Sequence, residues 1–338
     1  MAEATILHLS DLHMDKGHFK EIKIILDALF DDLKGLKDEN KKDLKPDMVF
    51  FTGDLVNSGS NYDEFGLARE EFIKKLLLPD ILSLPEERFF FVSGNHDIDR
   101  NKWDEIVIGG IRTKCTDSGK LNNFFDTKLD LNSDKYLETL HNFIAFKNNF
   151  NNKPVETNNL FSVHQMNLHG VKFGIGCLNS AWLAFGGDDD RGKLLVGERQ
   201  VDGVLDEMVL DEMGPYDVKI ALMHHPLEWL TGFDSEEVEN RITQGFDLFF
   251  TGHMHQNKPK SFRGPNGSLF YSDGGTLFSG DRKKDYQGYT ILKLDTQSKE
   301  VNTVYFRRYI DSRRKFDKDV DRADDGCWQP NLGKKKTT

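Results

Sequence analysis

Short, almost wholly apolar runs recur along the chain, each closed by a small polar cluster. Residues 5–9, 48–52 and 89–93 are three such runs. Their brevity and their aromatic and β-branched content predict buried strands. Between the first two, Ile22, Ile25, Leu26, Leu29, Phe30 and Leu33 recur at helical spacing, which predicts a helix over 19–36. A second helical stretch covers 65–82. The rhythm of strand, helix, strand, helix, strand predicts a parallel sheet covered by helices. Ligands of such sheets gather beyond the carboxyl ends of the strands. Asp11, Asp54 and Asn95 each fall within three residues of a predicted strand end.

From 99 to 160 the pattern changes. This stretch is rich in Asn, Lys and Asp, and only Tyr136, Leu137, Leu140, Phe143, Ile144 and Phe146 suggest an amphipathic helix. It reads as an insertion or cap that starts beside residues 95–97. A second strand-rich half follows, with strands at 160–164, 171–177, 218–223 and 248–250 and a helix from about 198 to 213. Residues 269–272, 289–294 and 301–309 read as antiparallel pieces, with turns at 273–275 and 295–299. The pattern predicts two sheets face to face with helices outside. One domain spans 1–310, with 99–160 inserted, and 311–338 forms a partly flexible C-terminal extension.

Composition narrows the function. The chain has 338 residues, 38% of them hydrophobic, so it can build a sizeable core. Its formal charge of -11 disfavours broad binding to long nucleic acid, although bound cations can reverse the field locally. Cys115, Cys177 and Cys327 lack metal-ligand spacing and read as free thiols. No leader pattern and no long apolar run occurs, so the expectation is a cytoplasmic protein without a membrane partner. Lys334, Lys335 and Lys336 are too few for a nucleic-acid or membrane patch.

The polar clusters carry the chemistry. Asp11 and His13 are two apart, so continued extended geometry points both the same way and lets them clasp one ion. A helix cap at Ser10 or Asp11 is the competing reading. Asp54 follows Gly53 and can bridge two cations, while a plain turn explains the same dipeptide. Asn95 offers a neutral carbonyl oxygen. His96, its neighbour, is better placed to face substrate as acid or electrostatic clamp. Of His224 and His225, at most one is a natural ligand, because neighbours on a strand point opposite ways. His253 and His255 repeat the two-residue spacing after Gly252. Together these residues suit two divalent cations that would act on a phosphate ester. Mixed carboxylate, amide and imidazole donors favour Mn, Fe or Zn over Mg.

In this order, Asp11-Leu12-His13, Gly53-Asp54, Gly94-Asn95-His96-Asp97, His224 and Gly252-His253-Met254-His255 resemble the signature of the calcineurin-like metallophosphoesterases. The resemblance implies a four-layer α/β/β/α sandwich with mixed sheets. It implies that Asp11, His13, Asp54 and His255 hold one metal. Asp54, Asn95, His224 and His253 hold the other, with Asp54 as the bridge. It further implies in-line attack by a hydroxide held between the metals, with His96 beside the substrate. The protein-phosphatase branch carries a second Asp that orients the catalytic histidine, and an Arg-Gly pair after it. Here Asn57 stands at that second position, where the resemblance implies that its amide joins the catalytic set and supports His96 less strongly than a carboxylate; the arginine is missing, so a protein phosphatase is disfavoured. With Leu178-Asn179-Ser180, Arg191-Gly192-Lys193-Leu194 and Gln200, the pattern is more similar to class III cyclic-nucleotide phosphodiesterases.

The first expectation is therefore a phosphodiesterase for a nucleotide or another small phosphodiester. A DNA or RNA nuclease is the alternative, since related nucleases share these motifs. A non-catalytic regulatory protein that retains the fold is a further alternative. Arg307, Arg308, Arg313, Arg314, Lys315 and Lys318 form a basic cluster, diluted by Asp311, Asp317 and Asp319. Arg100, Asn101, Lys102 and Trp103 open the insertion and are placed to grip phosphate or stack on a base; an ordinary charged loop explains them equally well. Lys16 and His18 have a surface role as the simpler explanation. The insertion also offers a surface for a homodimer.

Overall fold

The computed structural model describes residues 3–37, 44–129, 136–151, 153–154, 156–210, 215–264, 267–283 and 285–330. Fourteen strands occur among them: β1 (Glu3–Leu9), β2 (Met48–Phe51), β3 (Phe89–Phe91), β4 (Glu156–Thr157), β5 (Phe161–Leu168), β6 (Val171–Leu178), β7 (Val218–Leu222), β8 (Leu248–Thr251), β9 (Lys260–Gly264), β10 (Gly267–Asp273), β11 (Gly288–Asp295), β12 (Glu300–Ile310), β13 (Lys315–Lys318) and β14 (Cys327–Trp328). The helices are α1 (Phe19–Gly35), α2 (Tyr62–Ala68), α3 (Lys74–Leu76), α4 (Gly110–Lys114), α5 (Ser118–Thr127), α6 (His141–Asn148), α7 (Glu198–Leu210) and α8 (Gly232–Gly245).

The strands form two mixed sheets. One has the order β13-β12-β11-β1-β2-β3, with β14 paired to β12; the other runs β4-β5-β6-β7-β8-β10-β9. In the first sheet β1, β2 and β3 are parallel, and β11 joins β1 antiparallel. In the second, β6, β7, β8 and β10 are parallel. Alternation along each strand builds the layers. Ile6, Met48, Phe50 and Phe90 meet Ile220, Leu222, Leu248 and Phe250 in a core between the sheets. Their neighbours Leu7, Val49, Phe51 and Phe89 face the other way, onto α1, α2 and α6. Ala221 and Phe249 likewise face outward, into a third core with α7 and α8. This is the predicted four-layer α/β/β/α sandwich.

Four details differ from the sequence reading. The predicted helix over 65–82 starts earlier and is interrupted: α2 passes through a π turn, Arg69–Ile73, into the short α3. The sequence predicts an antiparallel piece at 269–272, yet β10 lies parallel to β8 and antiparallel only to β9. Helix α8 was not foreseen. Its sequence is largely polar, and only Val238 and Ile242 of its apolar residues are fully buried. The predicted helix beyond 198 is described as far as Leu210, and 211–214 lie outside the described residues.

Residues 99–160 spread over both outer layers. Ile108, Ile111, Leu121 and Phe125 join the core of the second sheet, while Phe143, Phe146 and Phe150 of the same stretch join that of the first. Past 310 the chain adds β13 and β14 to the first sheet and buries Phe316. The lysines 334–336 lie outside the described residues. The three cysteines carry no disulfide, and no helix among the described residues is long and apolar enough to cross a membrane.

Candidate metal centre

Both sheets end at one edge, and the chemistry collects there. Asp11, Asp54 and Asn95 follow β1, β2 and β3. His224 follows β7, and His253 and His255 follow β8. The parallel strands of each sheet thus deliver their carboxyl ends to a common seam.

The backbone reaches this seam through left-handed turns rather than by continuing the strands. Asp11 has φ 55°, His13 48°, Asp54 56°, His253 68° and His255 54°. Asp11 and His13 therefore converge by a different route from the extended geometry inferred from their spacing. Left-handed backbone is disfavoured for residues with a Cβ, and such strain concentrates at functional sites. The turns are over-determined by hydrogen bonds. The amides of Leu12 and His13 both donate to the carbonyl of Asp54, at 2.9 and 3.0 Å. Leu277 and Phe278 donate to the carbonyl of Asp11. Asp97 joins two loops: its Oδ1 accepts from Val56 N at 3.0 Å and its Oδ2 from Gly94 N at 2.8 Å. Gly94 leaves no room for a Cβ, which would overlap Asp54 Oδ1.

The donor atoms point inward. Asp54 Oδ2 lies 3.3 Å from His13 Nε2 and also 3.3 Å from His224 Nε2. His255 Nε2 is 3.0 Å from Asp11 Oδ1. His224 Nε2 is 3.1 Å from Asn95 Oδ1 and 3.3 Å from His253 Nδ1. Two ligands each about 2.1 Å from one ion stand about 3.0–3.4 Å apart, so these separations fit shared ions. The far nitrogens are anchored to main-chain carbonyls, His13 Nδ1 to Phe278 O at 2.7 Å and His224 Nδ1 to Thr52 O at 2.6 Å. Such bonds fix the tautomer that turns Nε2 toward a metal.

The charges agree with this. Burial opposes the ionised form of Asp54. The charges of His224 and His96 and bonds from His13 and His224 nevertheless hold it well below the usual carboxylate range. Burial likewise opposes charge on His13 and His224, yet Asp54 and Asp11 raise both to about 9. Burial and its histidine neighbours press His253 down to about 3. Imidazole and carboxylate donor atoms gathered this closely are a set that divalent cations would bind.

The family described as calcineurin-like phosphoesterase matches residues 4–257. The chain belongs to this family. No curated protein matches it. Among solved structures, it is similar to a conserved uncharacterised protein, a predicted phosphoesterase, from Streptococcus pneumoniae TIGR4. That pair shares 13% identity over 91% of this chain and 88% of the other, with a TM-score of 0.32. A phosphatase from Mycoplasma pneumoniae shares 15% identity over 91% and 94%, with a TM-score of 0.43. Vacuolar protein sorting 29 of Cryptosporidium parvum shares 13% over 93% and 95%, with a TM-score of 0.32. As in a metallophosphoesterase, the carboxylate and imidazole clusters here are those of a dinuclear metal site, and the chemistry they suit is metal-dependent ester hydrolysis.

In this phosphoesterase His96 stands at the rim of the cluster, its ring 4.6 Å from that of His13. Its Nδ1 donates to the main-chain carbonyl of Asn57 at 2.9 Å, while the Asn57 side chain is exposed. The group of Asn57 that meets His96 is thus the main-chain carbonyl, where the expectation named the side-chain amide. His225, left unassigned between ligand and core residue, is fully buried. Its Nδ1 meets Ser180 Oγ at 2.9 Å, its Nε2 has no partner, and it sits within the His224–His253 cluster. The doubled histidine was the only signal for it. Ser180, Asn179 and Gln200 are buried positioning groups; Gln200 bonds both amide and carbonyl of Asn179. Lys16 pairs with Asp63 and His18 with Asp15. Arg100 donates to Asn95 O, and Trp103 packs on Phe185 beneath Arg112.

Proposed function

We propose that this protein is a phosphodiesterase for small anionic diesters, with nucleotides such as the cyclic nucleotides of class III enzymes as the leading substrates. One observation carries the reading: Asp54 Oδ2 stands equidistant from His13 and His224, each in its own donor cluster. Asp11, His13, Asp54 and His255 would hold one divalent cation, Mn, Fe or Zn. Asp54, Asn95, His224 and His253 would hold the second. The pair, when bound, supplies Lewis-acid charge and an activated water.

The chain's own residues do the rest. His96 is fixed through Nδ1, so Nε2 is free to meet the substrate. Burial first of all lowers its pKa, which favours the neutral ring. An anionic diester beside it favours the imidazolium, formed by uptake of a solvent proton at Nε2, and that proton is then donated to the departing oxygen. Arg100, through its bond to Asn95 O, steadies the loop that carries Asn95 and His96.

The basic cluster favours this reading over a nuclease. Arg307 is paired with Asp32, Arg308 with Asp321, and Arg313 and Lys315 with Asp317. Cations neutralised in this way make a poor platform for a phosphate backbone. The test is a parallel Mn-dependent assay with bis(4-nitrophenyl) phosphate, 4-nitrophenyl phosphate, cyclic nucleotides, and single-stranded and duplex DNA. The reading expects diesters of small size to be hydrolysed fastest. Preference for the monoester or for DNA would refute it.

A further inference from the structure

The segment after β8 has two faces. His253 and His255 turn toward His224 and Asp11, at 3.3 and 3.0 Å. Met254 between them, and Gln256, Lys258 and Lys260 beyond, line a separate cavity of about 540 Å³ beside α8 and β10. Trp229 stands between the two: its Nε1 reaches Met254 Sδ at 3.2 Å, and the indole lies 4.0 Å from the His253 ring. The volume is that of a pocket for a small organic ligand.

The lining specifies what kind. Phe249 and Tyr271 form an aromatic floor, their rings 5.6 Å apart. Phe262 adds a ring that is 51% exposed, at the mouth. Asp273 is only 6% exposed, and its Oδ1 has no hydrogen-bond partner. A buried oxygen of this kind calls for a donor. Lys258 and Lys260 oppose a cationic ligand, while Glu228 and Glu239 oppose a carboxylate. A flat, neutral ring with an N–H edge avoids both repulsions, supplies the donor and stacks on the aromatic floor. We propose that this cavity is a second binding site, distinct from the metal centre, that takes the nucleobase of a nucleoside or nucleotide. The ring lies against Tyr271 and Phe262, and an N–H edge meets Asp273.

The proposal does not depend on the hydrolytic reading, and its test uses ligands that lack phosphate. Adenosine, guanosine, cytidine and uridine are titrated calorimetrically into the full chain, once with Mn and once after chelation. At least one should bind with a Kd below about 1 mM in both conditions. Asp273→Leu should weaken it about tenfold or more by removing the acceptor. Phe262→Ala, at an exposed position that the fold does not need, should weaken it about fivefold or more by removing a stacking surface. Three results overturn the proposal. They are no binding by any nucleoside, binding unchanged in Phe262→Ala, and binding that disappears on chelation, which would place the ligand at the metals.

Discussion

Replacing Gly94 by alanine adds one methyl group at the most crowded point of the metal centre. The new Cβ would overlap Asp54 Oδ1, the atom that accepts from His96 N at 2.7 Å. Relief requires moving the Asp54 carboxylate or its backbone by about an ångström, because the interior is close-packed. That shift carries Oδ2 away from its place between His13 and His224. Overpacking of this sort costs about 1–3 kcal/mol of stability. A misplacement of about 1 Å in a reacting constellation costs about 10²-fold in rate. Gly66 gives the control, since it lies in α2 and a Cβ there meets nothing within 4 Å. Gly66→Ala should stabilise by up to about 1 kcal/mol through helix propensity and leave turnover unchanged. The assay is urea denaturation of both variants, with Mn titration and hydrolysis of bis(4-nitrophenyl) phosphate. If Gly94→Ala keeps the Mn affinity and turnover of the unaltered protein, the crowding does not position Asp54 and the reasoning fails.

Other expectations follow from single contacts. Asn57→Ala should keep kcat within about threefold, because a main-chain carbonyl supports His96, whereas His96→Ala should lower kcat by about 10²–10⁴ with Mn binding retained. A kcat for Asn57→Ala as low as that of His96→Ala would restore a side-chain role. His8 is buried between Ser272 and Thr52, and burial depresses its pKa to about 3. Its folded value lies below the unfolded value of about 6.5, so its contribution is complete above that pH. It declines as pH falls, by about 2 kcal/mol at pH 5, and is fully lost near pH 3. His8→Gln should reduce the loss of unfolding free energy between pH 7 and 5 by about that amount. Equal pH dependence in the two proteins would mean that His8 is not held neutral.

The layers of the fold were legible because alternation was strong where it mattered. Phe89, Phe90 and Phe91 are a continuous apolar run whose members divide between two cores, as a strand buried on both faces requires. Helix α8 was not legible, because a helix that buries few large side chains reads like a polar loop. The ligand positions were legible as a set of residue types in order. Their backbone was not, since nothing in Asp11, His13, Asp54, His253 or His255 announces a left-handed conformation. Residues that act by holding others were also silent. Phe278 serves through a carbonyl, and Asp97 through two amides 41 and 3 residues away. A sequence shows the side-chain amide of Asn57, whereas the carbonyl that meets His96 is common to every residue.

The central claim is that Asp54 ties two ions into one centre. Its most direct test is the number of Mn ions bound per chain at equilibrium, measured by metal analysis after dialysis for the unaltered protein and for Asp54→Asn. The geometry predicts two ions for the former and, for the latter, affinity at both positions weakened by at least about 100-fold. One ion in the unaltered protein, or two ions retained without Asp54, would contradict it.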